Sequence, residues 1–130
     1  MALQRINPPD LPVPSTYTHV VVAPAGKLVF IAGQEPEDRN GNLVGRDDLA
    51  AQARQVFANM GRALAAAGAR PDQVAKITIY VVGHRPQFLP VIEQARQTLF
   101  GEHKPADVIV GVAALSQPGY LIEVDAFAVT

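Results

Sequence analysis

The stretch DVIVGVAALSQPGYLIEVDAFAV, Asp107 to Val129, decides the fold. It holds two runs rich in β-branched and apolar residues, DVIVGVAAL and YLIEVDAFAV, and the SQPG between them is a turn signal, so it reads as a hairpin. In the second run Ile122, Val124, Ala126 and Ala128 make one apolar face, while Leu121, Glu123, Asp125, Phe127 and Val129 make a mixed one. In the first run Val108, Val110 and Val112 oppose Ile109 and Ala113, so both faces are apolar. Yet that run opens on a carboxylate, Asp107.

Upstream, Pro86 sits where a first-turn proline belongs, and Phe88, Ile92, Ala95 and Leu99 form the buried stripe of a helix ending near Gly101. AKITIYVVG before it is a further strand. From Asp47 to Gly68, Leu49, Ala53, Val56, Phe57, Met60 and Leu64 recur at helical spacing, with Gln52, Arg54, Gln55, Asn59 and Arg62 off that stripe. Asp47 or Asp48 supplies the N-cap and Gly68 the stop. The polar stretch EPEDRNGNLVGRDD is a surface loop with a turn at Asn40-Gly41. YTHVVVA and KLVFIAG, separated by PAG, read as a first hairpin from Tyr17 to Gly33.

The element order is therefore ββαβαββ in one α+β domain, residues 1–130, behind a Pro-rich segment, residues 1–14, expected to lie outside the folded unit. Each helix is a crossover between strands, and the common right-handed sense puts both on one face of a single mixed sheet. The strands remain apolar on the other face, which needs a cover from outside the chain. A second copy is the simplest one, so an obligate homo-oligomer is expected. Glu123 and Asp125 on the mixed face need partners there, because Leu121, Phe127 and Val129 beside them favour a dry surface.

Composition narrows the chemistry. With 130 residues, 48% hydrophobic and 18% charged, the chain is globular, and zero cysteines remove disulfides, thiolate metal sites and a cysteine nucleophile. Met1 to Pro14, with four prolines, lacks the apolar core of a signal peptide, and no later stretch could span a bilayer, so no membrane role and a cytoplasmic home are expected. The net charge is −1 and the eleven Lys and Arg are scattered, which argues against a nucleic-acid partner. His19, His84 and His103 are dispersed without metal-ligand spacing, so no metal is assigned. GNLVG lacks the lysine of a phosphate-binding loop. Ser15 and Ser116, the only serines, sit in Pro-containing loops without a nearby histidine.

The Tyr17 loop, the GQ of IAGQEP, the helix AAQARQVFANMGRALAAAG, then GEHKPA, GVAAL and IEVDAFAV, in that order, resemble the RidA/YjgF family of reactive-intermediate deaminases. The likeness runs from about Tyr17 to Val129. It implies a chorismate-mutase-like homotrimer with sheets inside, helices outside, and a small-molecule cleft between subunits. Active members hydrolyse imines and enamines to ammonia and a keto acid, without metal or cofactor. A family arginine grips the substrate carboxylate and a glutamate handles the attacking water. By motif the glutamate is Glu123, the family tyrosine is Tyr17, and Gly33 offers backbone contacts.

The arginine position after the KPA turn is Asp107, the serine before Gly33 is Ala32, and the cysteine two positions past the arginine is Ile109. A carboxylate repels a carboxylate, so the substrate is expected to lack that group. Three readings follow: hydrolysis of a neutral or cationic imine-type molecule, with Asp107 meeting an amine; a ligand-binding or regulatory trimer without turnover; and an endoribonuclease or translation inhibitor, which the absent basic stripe opposes. His103, Lys104 and, from its loop position, Arg85 are candidate substitutes for the lost positive charge. Plainer readings make Asp107 a surface carboxylate or the partner of a neighbouring subunit's arginine, and Tyr17 an interface aromatic. Paired through SQPG, Asp107 and Glu123 would stand about four positions out of register, roughly 13 Å apart.

Overall fold

The first helix, α1, runs from Leu49 to Ala66 in the computed structural model, which describes residues 2–130. Asp48 is its cap, accepting the Ala51 N–H at 3.0 Å, whereas Asp47 takes a left-handed φ of 59° to bring the chain in. At the other end Gly68, with φ of 70°, lets its own N–H reach Ala65 and that of Ala69 reach Leu64, closing the helix carbonyls. Ala53, Val56, Phe57, Met60 and Leu64 are buried as the spacing predicts. Gln52, read as off the stripe, is also fully buried. Its amide donates to the carbonyls of Gly45 and Gly119 and accepts the N–H of Leu121. It ties α1 to the loop before it and to the approach of the last strand.

A 3₁₀ turn at Pro86–Phe88 leads into the second helix, α2, Leu89–Phe100. Its inner face holds Ile92, Ala95 and Phe100, together with an arginine, Arg96, only 3% exposed.

The strands are β1 Gln4–Ile6, β2 Val20–Val22, β3 Leu28–Gln34, β4 Val74–Val82, β5 Ala106–Val112 and β6 Ile122–Val129. The main sheet is mixed, in the order β3-β6-β4-β5, with β4 and β5 parallel and the other neighbours antiparallel. One face is closed by α1 and α2 over Ile31, Ile77, Ile79, Val81 and the even-numbered residues Ile122 to Ala128. This is the α+β architecture of two helices on one face of a mixed sheet.

Three expectations fail. The Pro-rich start is not outside the fold, because Gln4–Ile6 pairs with Val20–Val22 in a small second sheet. The first hairpin is absent: β2 pairs with β1, while the chain entering β3 is held by reciprocal bonds between Lys27 and Thr130 at the end of β6. The second hairpin is absent as well. β4 carries four fully buried residues, Val74, Ile77, Ile79 and Val81, and lies between β5 and β6, so the SQPG segment bridges two strand widths instead of turning one strand onto the next.

Candidate functional site

The register fixes where each candidate points. Asp107 pairs with Ile77, which pairs with Ala126; all three therefore face the helices. Ile109 lies two residues on and shares that face. Glu123 pairs with Tyr80 on the opposite, open face. Asp107 and Glu123 are thus separated by β4, by three positions along the strands, and by the sheet itself. The hairpin register expected between them does not exist.

On the helix side, Tyr17, Ile92, Glu93, Arg96, Asp107 and Ile109 help line a cavity of about 540 Å³. Tyr17 is held over it because Thr18 bonds through its N–H to Pro105 and through its hydroxyl to the Lys104 carbonyl at the mouth of β5. Asp107 meets Arg96 there, Nη1 to Oδ2 at 2.5 Å, with both side chains buried. Arg96 Nε also lies 3.4 Å from Glu93. Burial pushes the Asp107 carboxyl up in spite of its bond to Arg96. Glu93 is raised by burial too, against the pull of Arg96. Asp107 is therefore not a surface carboxylate: it is buried and has an arginine partner in its own chain.

On the open face Glu123 packs against Gly33 so closely that a Cβ there would fall 1.9 Å from Oε2. The absence of a side chain at Gly33 is what admits the carboxylate. Burial, then the charges of Glu35 and Asp125, raise the Glu123 carboxyl. Gly33 and Glu35 border a groove of about 800 Å³ shared with Asn59 and Arg62 of α1. Asn59 shapes its rim by donating to the carbonyls of Glu35 and Glu37. Ser116 donates to the Glu35 carboxylate, and Tyr120 donates to Glu37, which pushes the phenol up to about 12.

The chain thus gathers its candidates into two sets, Tyr17, Asp107 and Ile109 in the cavity, Gly33 and Glu123 on the open face. Of the three expected charge substitutes, Lys104 lies near enough to the cavity for its charge to act on Glu93. His103 bonds the Val74 carbonyl at 2.8 Å and lies edge-on to Phe100. Arg85 stacks over Phe88, and Lys104 contributes its backbone carbonyl to Thr18. The cation in the cavity is Arg96, which the sequence reading passed over. Its signal was its place four residues after Ile92, on the apolar stripe, with an unpaired strand carboxylate still to be matched. Among the described residues no helix is long and apolar enough to cross a membrane.

The family model described as endoribonuclease L-PSP matches residues 10–130. A RutC family protein from Pyrococcus horikoshii is 36% identical over 104 residues, 80% of each chain. The 3-aminoacrylate deaminase RutC of Acinetobacter baylyi is 31% identical over 124 residues, 95% of each chain. A crystal structure from Yersinia pestis, the Rid family protein YyfB of unknown function, superposes with a TM-score of 0.93 at 39% identity over the whole of both chains.

Proposed function

Because the chain belongs to the endoribonuclease L-PSP family, the RidA/YjgF proteins, we propose that it hydrolyses a small imine- or enamine-type metabolite lacking a carboxylate, in a cleft shared by adjacent copies of a homotrimer. The observation that carries this reading is the seating of Glu123 on Gly33, half-buried and with a raised carboxyl. A carboxyl moved toward neutrality is suited to passing a proton in both directions. In the reaction water adds to the imine carbon while Glu123 takes one of its protons. Glu123 returns that proton to the nitrogen, giving the neutral carbinolamine; it then takes the hydroxyl proton as the carbonyl forms and passes it to the nitrogen, so that the C–N bond breaks and ammonia leaves. The sum is imine plus water to carbonyl plus ammonia.

The substrate differs from the family's usual amino-acid-derived imine because Asp107 stands at the carboxylate-gripping position, and its charge repels that group. The deaminase RutC among its relatives supports the reaction class. The trimer is supported by an uncovered apolar patch on the open face, Leu28, Phe30 and Phe127, with Phe30 70% exposed. Packing that face against another copy covers the patch and brings one copy's Glu123 face toward a neighbour's Tyr17 cavity, so each cleft takes one set from each copy. A cytoplasmic location agrees with substrates that arise from metabolic enzymes.

The test compares ammonia release from neutral imines, made in situ from primary amines by an amine oxidase, with release from imino acids made by an amino acid oxidase. Acceleration confined to the neutral imines, and lost in Glu123→Gln, is the expected result. Equal rates with and without protein for every imine would leave a binding protein.

A further inference from the structure

Resting on the reading just given, we propose that Glu35, tied down by Ser116 across the strand pair from Glu123, is a positioning residue that makes Glu123 the stronger base.

A bulge sets the two residues against each other. Ile31 is opposite Ala126 but Gln34 is opposite Val124, so β3 carries one more residue than β6 over this span. The next residues, Glu35 and Glu123, therefore come opposite each other, where a ladder without the bulge would bring Gln34. Glu123 is seated on the bare backbone of Gly33. Glu35 is held by the Ser116 hydroxyl, which donates to its carboxylate from the loop before β6. Like charges directly opposite each other on neighbouring strands repel.

No cation of the described chain relieves that repulsion. The ion pairs among the described residues are Arg70 with Asp72 and Arg96 with Glu93 and Asp107, all elsewhere. Arg39 and Arg62 border the groove with Glu35, yet Arg62 bonds Asn59, and neither arginine acts on the Glu123 carboxyl. From β4 the side chain paired with Glu123 is the phenol of Tyr80. On its own strand Asp125 adds a second negative charge, with one oxygen turned to the Thr78 N–H at 3.1 Å. Burial, Glu35 and Asp125, in that order, all raise the Glu123 carboxyl. The cavity that a neighbouring copy brings to this face in the trimer holds Arg96 and, nearby, Lys104 against Asp107 and Glu93, charges that offset each other.

The consequence is chemical. When Glu123 takes a proton from the water adding to the imine carbon, its negative charge beside Glu35 disappears and the repulsion goes with it, so the transfer gains driving force. Glu123 then hands that proton to the nitrogen and is charged again, while Glu35 makes and breaks no bond. Ser116 matters because a glutamate free to swing into solvent would act from a greater distance through screening water.

The test reads Glu123 directly and needs no substrate. In the full chain labelled with ¹³C at the glutamate carboxyls, the Glu123 signal is the one lost in Glu123→Gln, and NMR follows its titration midpoint. That midpoint should fall toward the ordinary carboxyl value in Glu35→Gln. It should fall part of the way in Ser116→Ala, which leaves every carboxylate in place, and Asp125→Asn should move it less than Glu35→Gln does. In imine hydrolysis Glu35→Gln should lower the rate at neutral pH about two- to threefold and carry the acid limb of the pH profile to lower pH. A merely structural loss would lower the rate and leave that limb in place.

A midpoint unmoved in Glu35→Gln or in Ser116→Ala, one moved as far by Asp125→Asn, or a stationary acid limb would each overturn the proposal. Imine hydrolysis with an unmoved midpoint sinks this inference alone, whereas a moved midpoint in a protein that hydrolyses no imine sinks the hydrolytic reading alone.

Discussion

Arg96 Nη1 stands 2.5 Å from Asp107 Oδ2, a buried ion pair between α2 and the edge strand β5. Removing one member leaves the other charged in a dry site, so Asp107→Ala should lose about 3 kcal/mol of stability. Asp107→Arg, which restores the family residue, should lose more, because it sets a second guanidinium against Arg96. The exchange Arg96→Asp with Asp107→Arg should regain part of that loss. Denaturant melts of the wild type, Arg96→Asp, Asp107→Arg and the exchange give the coupling energy. Additive losses would mean that the pair contributes nothing beyond two separate side chains.

Gly33→Ala places a methyl where Glu123 Oε2 now lies. The carboxylate must swing away, and displacement of a catalytic group by about 1 Å costs on the order of 10²-fold in rate. Ammonia-release assays should show that loss in Gly33→Ala, with no further loss when Glu123→Ala is added, since both changes remove the same placed carboxylate. Full multiplication of the two effects would separate Gly33 from Glu123.

The parts of the molecule readable from sequence are those set by local rules. The stripe of α1, the glycine stop at Gly68 and the core-facing set Ile122 to Ala128 depend on spacing and backbone freedom alone. Strand pairing does not. YTHVVVA and KLVFIAG carry every hairpin signal, yet which edge each strand meets depends on β6 and on β1, far away in the chain. The same limit governed the site. Asp107 was visible as an anomaly in an apolar run, and Arg96 was visible as a residue on an apolar helix stripe. Only the parallel pairing of β4 with β5, which carries α2 over the sheet, joins the two. Gln52 was missed for a related reason: its three backbone partners belong to loops that sequence periodicity does not describe.

Acid should strengthen the fold over part of the pH range. Asp107, Glu93 and Glu123 all have carboxyls raised from their ordinary 3.8, 4.5 and 4.5, chiefly by burial. The folded protein then binds those protons more tightly than the unfolded chain. Their contribution is fully present below the unfolded values and is lost as pH rises through the folded ones. Lowering pH from about 7 to about 4.5 should therefore raise Tm through these three groups. Glu123→Gln should raise Tm at neutral pH and flatten the slope, because it removes a partly buried charge and, with it, the repulsion from Glu35 and Asp125. Asp38, lowered by the backbone N–H groups of Asn42 and Asn40, acts in the opposite sense and only as pH falls through its own depressed range. A Tm that falls steadily from neutral pH in the wild type would contradict the assignment.

Gln52 offers a test of what holds the loops around the open face. Replacement by Leu keeps the volume but leaves the Gly45 and Gly119 carbonyls and the Leu121 N–H without their partner. Unmet buried groups cost about 1–3 kcal/mol each, and partial access to water at the loops trims the sum, so a loss of about 3 kcal/mol is expected. Amide exchange should quicken at Leu121, whose N–H bonds Gln52 at 2.7 Å. Unchanged stability would mean that water replaces the side chain without penalty.

The exposed aromatic pair makes the assembly testable. Phe30 and Phe127 meet edge to face at 5.5 Å on the open side of the sheet, with Leu28 beside them. Among the described residues Phe30 is left 70% exposed in spite of Phe127 beside it, and an apolar patch of this kind marks an interaction surface. Phe30→Asp places a charge at the centre of that patch while touching little of the helix-side core, so the subunit fold should persist as read by circular dichroism. If this face forms the proposed trimer, sedimentation should move from trimer in the wild type to monomer in the variant. If each cleft draws Glu123 from one copy and the Tyr17 cavity from another, imine hydrolysis should disappear with the trimer, although every residue of both sets is intact. Activity retained by a monomeric Phe30→Asp would place the whole reaction within one chain and remove the shared cleft.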